Sequence, residues 1–320
     1  MALPVTEAGT LPIAARGRLM RRATVAAFLV GSALVAAKLA AFLVTDSVAM
    51  LSSLIDSLLD VCASLVNFLA VRHALQPADR EHRFGHGKAE PLAGLGQSVF
   101  IGGSAVFLFI EAGRRLSAPQ PVVNSGVGIA VVIASLIAAV ALVRFQSSVV
   151  RQTGSIAVSA DALHYRGDLL LNGGVLVALV AGPWLGWNWL DPALALVIGG
   201  FVLYGAWRIV VDSLDVLMDR ELSDQDRARI RALCEAQPEV IGVHEMRTRS
   251  AGQHIFVQLH LELDGAMKLR EANAIAHRVE HQIQATFPGA EVIIHQDPTS
   301  EPPHASAWDK AAAGAKAGAG

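Results

Sequence analysis

Hydrophobic residues form long, nearly continuous runs over the first two thirds of the chain, with short polar stretches between them. A run of roughly 20 apolar residues is long enough for an α-helix to cross a bilayer. We predict six membrane-spanning helices at about residues 23–45, 47–74, 91–113, 122–145, 155–182 and 191–213. The pattern is therefore that of a multi-pass helical membrane protein with a short N-terminal tail at residues 1–22.

After the last apolar run, the pattern becomes that of a small soluble domain. Two stretches have the apolar spacing of amphipathic helices, and two alternating, strand-like runs lie between them. The segment AEVIIHQDP reads as a third strand, which Pro298 ends. The order helix, strand, strand, helix, strand predicts a small α+β domain at 214–298 behind a membrane domain at 23–213. We expect residues 299–320, rich in Ala and Gly, to be disordered.

Positive charges predict how the helices are oriented. Six spans put both chain ends on one side of the membrane, and most Arg and Lys residues between the helices fall on that side. Because cytoplasmic loops carry such residues, we predict cytoplasmic termini, a cytoplasmic α+β domain and a location in the cell (inner) membrane. Residues 1–22 have no apolar core before their arginines, so we expect no cleavable signal peptide.

Composition adds little to this picture. The chain is 53% hydrophobic and 17% charged, which agrees with a membrane protein. No nucleic-acid-binding motif is apparent. Cys62 and Cys234 lie in a membrane helix and in the soluble domain, so a disulfide framework is not expected.

Ionisable residues in two membrane helices suggest a metal site. Asp56 and Asp60 are four residues apart in one run, and His164 and Asp168 have the same spacing in another. Residues four apart share a helix face, and charged groups at membrane depth usually face the bundle interior and bind ions. Three carboxylates and an imidazole suit zinc, and they also accept cadmium or ferrous iron. A buried hydrogen-bond network, or a proton relay without metal, is the alternative.

Two further clusters contain metal-ligand residue types. Asp79, His82 and His86 lie in the loop after the second span, where a histidine-rich polar loop without metal is the alternative. In the soluble domain, neighbouring strands could bring four residues together, although surface histidines are the alternative there: His244, His260, His295 and Asp297. Lys38 and Glu111 lie in apolar runs near helix ends, which fits either snorkelling to the surface or an interhelical pair.

Several motifs together resemble the cation diffusion facilitator family, in particular its bacterial zinc and ferrous-iron efflux branch: LIDSLLD, QPADREHRFGHGKAE, DALHYRGD, RTR after His244, and VIIHQDP. The resemblance implies a homodimeric metal/proton antiporter with six membrane helices and a cytoplasmic metal-binding domain. It assigns the three clusters above to a transport site, a loop site and a cytoplasmic binuclear site. It also implies a charged interlock of Lys88 with Asp219. One family histidine corresponds to Asn273, so the second cytoplasmic metal would lack a ligand unless His277 replaces it.

The predicted function is therefore export of Zn²⁺, with Cd²⁺ or Fe²⁺ as further substrates, in exchange for protons by alternating access. A membrane metal sensor and an intramembrane metalloenzyme are the competing hypotheses. The enzyme would need a general base beside an open metal position, typically in His-Glu-x-x-His, and no predicted span contains that motif. We therefore expect a transporter and no enzymatic activity.

Overall fold

The computed structural model describes residues 11–45, 48–117, 126–185 and 190–299. Residues 1–10 of the predicted N-terminal tail and residues 300–320 of the predicted disordered tail lie outside the described residues. The chain divides into two compact units, one ending at Met218 and the other beginning at Asp219.

The first unit contains six long helices in its described part: α1 (Ile13–Thr45), α2 (Val48–Ala74), α3 (Ala89–Ser117), α4 (Gly126–Thr153), α5 (Ile156–Leu185) and α6 (Leu190–Leu217). Within the described residues, five of these helices, all except α5, have a stretch long and apolar enough to cross a membrane. α5 carries Asp161, Arg166 and Asp168 within about two turns, and ionisable residues are rare in membrane-spanning segments. The structure thus confirms a helical, multi-pass membrane region, and a sixth crossing by α5 remains a prediction.

The ends of these helices differ from the ends of the apolar runs. α1 begins at Ile13 rather than near residue 23, and α4 continues to Thr153 rather than ending near residue 145. Arg, Leu and Met favour helix as much as most apolar residues do, so a helix does not stop where its hydrophobicity stops. Arg16 and Met20 in the additional N-terminal turns of α1 are buried, which shows that these turns pack within the unit.

Helix packing places α5 among several neighbours. α1 packs on α2 and α3 packs on α6, while α5 contacts α3, α4 and α6. At Gly205 of α6, a Cβ atom would come within 2.7 Å of the Leu163 side chain. Glycine therefore permits the close approach of α6 to α5, directly beside His164.

The second unit is a three-stranded sheet with two helices: α7 (Asp224–Glu235), β1 (Gly242–Ala251), β2 (His254–Leu263), α8 (Leu269–Thr286) and β3 (Ala290–Pro298). β2 is central, antiparallel to β1 and parallel to β3. Ser223 caps α7, because its Oγ accepts a hydrogen bond from the backbone N–H of Asp226 at 3.1 Å. The predicted small α+β domain is thereby confirmed.

Alternation along β2 separates the core from a polar face. Val257, Leu259 and Leu261 are buried and belong to one apolar core with residues of both helices. Gln258, His260 and Glu262 alternate with them and therefore lie on the other face of the sheet. That face carries the candidate ligands of this unit.

Candidate metal sites

The intramembrane cluster joins α2 to α5. His164 Nε2 lies 2.9 Å from Asp60 Oδ1 and 3.6 Å from Asp168 Oδ2, so one ring nitrogen faces both carboxylates. The three side chains each offer a ligand atom within 4.8 Å of the others. The His164 side chain is only 11% exposed. Two carboxylates and one imidazole thus converge at a sheltered point between two helices.

The spacing of these atoms fits a tetrahedral metal ion. Ligand atoms about 2.1 Å from a tetrahedral zinc ion lie about 3.4 Å from one another. The separations of 2.9 and 3.6 Å from His164 Nε2 bracket that value. The two contacts of His164 therefore match the ligand spacing of a small dication to within about half an ångström.

Asp56 lies outside this tight group. It is exposed, one helical turn before Asp60 on the same face of α2. Among the described residues, the atoms that converge on one point belong to Asp60, His164 and Asp168. The assignment of Asp56 as a fourth ligand therefore stays a prediction.

Asp161 is a buried carboxylate that we did not single out from the sequence. It is 1% exposed and lies one turn before His164 on α5. Its oxygens accept hydrogen bonds from Gln146 Nε2 at 2.5 Å, Gln97 Nε2 at 3.2 Å and Ser64 Oγ at 3.3 Å. These donors belong to α4, α3 and α2, so Asp161 ties three helices to the helix that carries His164. A second acidic residue close to His164 in the same apolar run, besides Asp168, was the available sequence signal.

The loop cluster is built around a turn between α2 and α3. Asp79 Oδ1 accepts hydrogen bonds from the backbone N–H groups of His82 at 2.6 Å and Glu81 at 2.9 Å. These bonds, that of His82 above all, lower the pKa of Asp79 and keep it ionised at neutral pH. His86 Nε2 lies 3.3 Å from Asp79 Oδ2, and His82 Nδ1 lies 3.6 Å from Asp79 Oδ1. The structure thus brings the three predicted loop residues together.

His73 is a neighbour of the loop cluster that sequence reasoning missed. It lies in the last turn of α2, and its ring centroid is 4.5 Å from that of His86. The ring centroid of His82 lies 4.6 Å from that of His86. His86 is thus flanked by two imidazoles and a carboxylate, which makes its surroundings suitable for a cation.

The cytoplasmic cluster depends on strand register. His244 pairs with His260 across β1 and β2, and His260 pairs with His295 across β2 and β3, so the three histidines form one row. Asp297 is two residues beyond His295 and therefore on the same face of β3. His244 Nε2 and His260 Nδ1 lie 2.9 and 2.8 Å from Asp297 Oδ2, and His295 Nε2 lies 3.1 Å from Asp297 Oδ1. Asp297 is the centre of this group.

The electrostatics of the cluster favour an ionised carboxylate. Partial burial acts to raise the pKa of Asp297, but the hydrogen bond from His260 and the bond from His244 outweigh it, so that the pKa is lowered. Metal binding requires a deprotonated carboxylate and neutral imidazoles. The site is therefore prepared for a dication, which replaces the protons shared between Asp297 and the histidines.

Glu245 is a residue of the cytoplasmic cluster that sequence reasoning missed. The register of β1 shifts between His244 and Arg247, and Glu245 at the shift has a left-handed φ of 47°. This irregularity is a β-bulge, which changes the direction of a side chain relative to regular alternation. Glu245 Oε2 lies 3.9 Å from His260 Nε2 and 3.6 Å from the Arg247 guanidinium. Glu245 and His260 both line a cleft of about 250 Å³.

The remaining predicted residues lie outside the three clusters. Asn273 is exposed on α8. His277 Nδ1 lies 3.0 Å from Glu280 Oε2 on the same helix. His277 therefore contacts Glu280 and is not part of the cytoplasmic cluster. Lys88 Nζ donates to the carbonyl oxygen of Leu217 at 3.3 Å. Asp219 Oδ1 lies 3.3 Å from Arg249 Nη1, and Lys88 and Asp219 belong to different units, so their interlock stays a prediction.

Comparison with known proteins identifies the class to which this fold belongs. Residues 24–218 match the cation efflux transmembrane domain, and residues 222–299 match the cytoplasmic domain of cation efflux proteins. The cation-efflux pump FieF of Klebsiella pneumoniae is 48% identical over 289 residues, covering 90% of this chain and 96% of that protein. FieF of Salmonella schwarzengrund is 48% identical over 287 residues, covering 90% of this chain and 95% of that protein.

A solved structure also aligns with the chain. The metal-bound C-terminal domain of the CzcD transporter from Thermotoga maritima is 26% identical and has a TM-score of 0.23, covering 24% of this chain and 91% of that domain.

The family-model match and the FieF relatives define a membrane transporter rather than an enzyme, so the metalloenzyme hypothesis is discarded. The chain belongs to the cation diffusion facilitator family.

Proposed function

We propose that this protein exports divalent cations, with Zn²⁺ as the main substrate and Cd²⁺ and Fe²⁺ as further substrates, in exchange for protons. The observation that carries the proposal is the convergence of Asp60, His164 and Asp168 between α2 and α5. One nitrogen and several carboxylate oxygens suit zinc, which has no ligand-field preference and accepts tetrahedral sites. The 48% identical relatives are named cation-efflux pumps, which supports outward transport.

Proton exchange follows from the chemistry of the ligands. A metal ion and a proton compete for the same lone pair of His164 Nε2 and for the same carboxylate oxygens. On the cytoplasmic side, where protons are fewer, the metal binds and displaces them. On the other side, protons displace the metal, and alternation between the two openings couples the fluxes. In the proposed site Asp56, one turn from Asp60, supplies the fourth ligand.

The orientation and assembly are part of the same proposal. The protein lies in the inner membrane and crosses it six times, α5 included. An even number of crossings puts both termini on one side, and the basic residues at the start of α1 favour the cytoplasm for that side. The protein acts as a homodimer, which the match to the cytoplasmic domain of cation efflux proteins supports. The loop and cytoplasmic clusters bind zinc from the cytoplasm, and Lys88 and Asp219 form a charged interlock near the dimer interface.

Zinc flux into reconstituted vesicles tests the proposal directly. With purified protein in liposomes, zinc uptake is expected when the lumen is more acidic than the outside, because outward-moving protons exchange for the metal. Nigericin, which collapses the pH gradient, is expected to abolish the uptake. Empty liposomes are the control. Uptake that persists without a gradient would indicate a passive channel, and no uptake of any divalent cation would favour a sensor.

The second cytoplasmic metal gives a separate prediction. The residues from 219 to 299 contain their own apolar core, so this segment is suitable for titration as an isolated domain. We expect zinc calorimetry to show one tight site, formed by His244, His260 and Asp297, and one site that is about 10-fold weaker or more, because the neutral amide of Asn273 is a poor zinc ligand.

Asn273→His is expected to strengthen the weaker site by about 10-fold, since an imidazole then replaces the amide. His254→Asn is a suitable control for this substitution, because His254 is exposed and lies outside every cluster. Two equally tight sites in the unchanged domain would contradict the prediction and would show that another residue compensates for Asn273.

A further inference from the structure

Lys38 is a cationic residue inside an apolar helix. It has no role in the function described so far. It lies on α1, within the stretch Ile13–Val44 that is long and apolar enough to cross a membrane. Its ammonium donates to Ser57 Oγ at 2.6 Å and to the carbonyl oxygen of Ser53 at 3.3 Å. Both acceptors belong to α2. The side chain is therefore directed to a neighbouring helix within the bundle.

The two acceptors lie on the face of α2 that carries the carboxylates. Ser57 lies four residues after Ser53 and three residues before Asp60. Asp56 lies three residues after Ser53. Residues three and four apart are neighbours on a helix surface. The ammonium is thus bonded to a residue one helical turn before Asp60. Asp60, Asp168 and Asp56 all act on Lys38 electrostatically.

We infer that Lys38 is a built-in counter-ion of the intramembrane site, which offsets the carboxylate charge when metal is absent and opposes the metal when it is present. The inference rests on the proposed transport function of Asp60, His164 and Asp168. Three carboxylates so close together are costly at membrane depth without a nearby positive charge. When a dication enters, the fixed ammonium repels it. Lys38 therefore lowers the affinity for metal and accelerates its release.

The sign of the effect separates this role from a structural one. If Lys38 acts through its charge, an uncharged residue should make the transported metal bind more tightly. If Lys38 only tethers α1 to α2, its loss should loosen the site and weaken binding. Lys38→Met removes the charge and keeps a flexible side chain of similar length, whereas Lys38→Arg keeps the charge.

The experiment measures pH-driven zinc flux of the full-length protein in liposomes as a function of zinc concentration. For Lys38→Met we expect KM to fall by about 5- to 10-fold and the maximal rate to fall by a similar factor, because removing one nearby charge strengthens binding and slows release. Lys38→Gln is also uncharged but retains hydrogen-bonding groups, and we expect the same changes in KM and maximal rate as for Lys38→Met. It replaces Lys38→Met in the experiment if the Met variant does not fold. Lys38→Arg should keep KM within about 2-fold of the original.

Ser57→Ala tests the tether alone, because it removes the hydroxyl acceptor and leaves the ammonium in place. We expect its KM to stay close to that of the unchanged protein. A higher or unchanged KM in both uncharged Lys38 variants would overturn the inference, and so would an equal fall in KM for Ser57→Ala. Flux that survives Asp60→Ala would instead show that the transport site itself is misplaced. The two failures are therefore distinguishable.

Discussion

Asp60→Ala is expected to abolish zinc flux in reconstituted vesicles, with a loss of roughly 100-fold or more. Asp60 Oδ1 lies 2.9 Å from His164 Nε2, and both residues belong to the intramembrane cluster. The substitution removes one anionic ligand and leaves too little negative charge to replace the water around a dication. Loss of a residue that only supports a metal ligand already costs about 10- to 100-fold. Radioactive zinc uptake into vesicles with an acidic lumen is the measurement.

Glu291→Ala is a matched control for this substitution. Glu291 is an exposed carboxylate on β3 and belongs to none of the three clusters. Replacing this carboxylate with Ala should leave flux within about 2-fold, since substitutions at exposed positions usually have small effects. Gel filtration of both variants checks that they are folded. Flux close to the original in a folded Asp60→Ala protein would show that the metal passes elsewhere.

His164→Asp is expected to change which metal is transported. His164 is the only nitrogen ligand in the proposed transport site, and its replacement makes that site entirely oxygen. Oxygen ligands favour harder cations such as Mn²⁺, whereas imidazole suits zinc. We expect the ratio of zinc flux to manganese flux to fall by about 10-fold or more. Competition between the two metals in the same vesicles measures this ratio.

His254→Asp is the matched control here, because His254 is exposed at the start of β2 and lies outside the three clusters. Its zinc-to-manganese ratio should equal that of the unchanged protein. An unchanged ratio in a His164→Asp protein that still transports zinc would mean that the imidazole does not touch the metal. That result would also remove the basis for proton exchange at Nε2.

Patterns within a single helix were readable from the sequence. Asp56 with Asp60, and His164 with Asp168, are four residues apart, and the α-helical repeat places each pair on one face without any tertiary information. Apolar length likewise predicts six membrane helices; in the described residues five of them have a stretch long and apolar enough to cross a membrane, and the crossing by α5 stays a prediction. Apolar length fails for helix ends, as at Ile13, because hydrophobicity and helix propensity are different properties.

Contacts between helices were not readable in the same way. Only packing decides that Asp60 meets His164 while Asp56 stays exposed, since both carboxylates have the same local pattern. The sequence left Lys38 open between snorkelling and an interhelical contact. The structure directs its ammonium to Ser57 of α2, because the flexible side chain can reach whichever acceptor the bundle provides.

The same division holds in the cytoplasmic unit. The sequence alone indicates strand-like runs around His244, His260 and His295, since alternation of apolar and polar residues is a local property. Strand register is not local: a shift by one residue would turn the histidines to the opposite face. The bulge at Glu245 is equally invisible in the alternation, because it arises from the pairing of β1 with β2.

By itself, then, the sequence determined the periodic features: apolar helices of membrane length, ligand types spaced along single elements, and a small α+β domain after them. Tertiary structure decided which of these ligands converge, and it added Asp161, Glu245 and Lys38 to their surroundings. The physical reason is distance along the chain. Asp60 and His164 are 104 residues apart, and their 2.9 Å contact exists only because several helices pack in one arrangement.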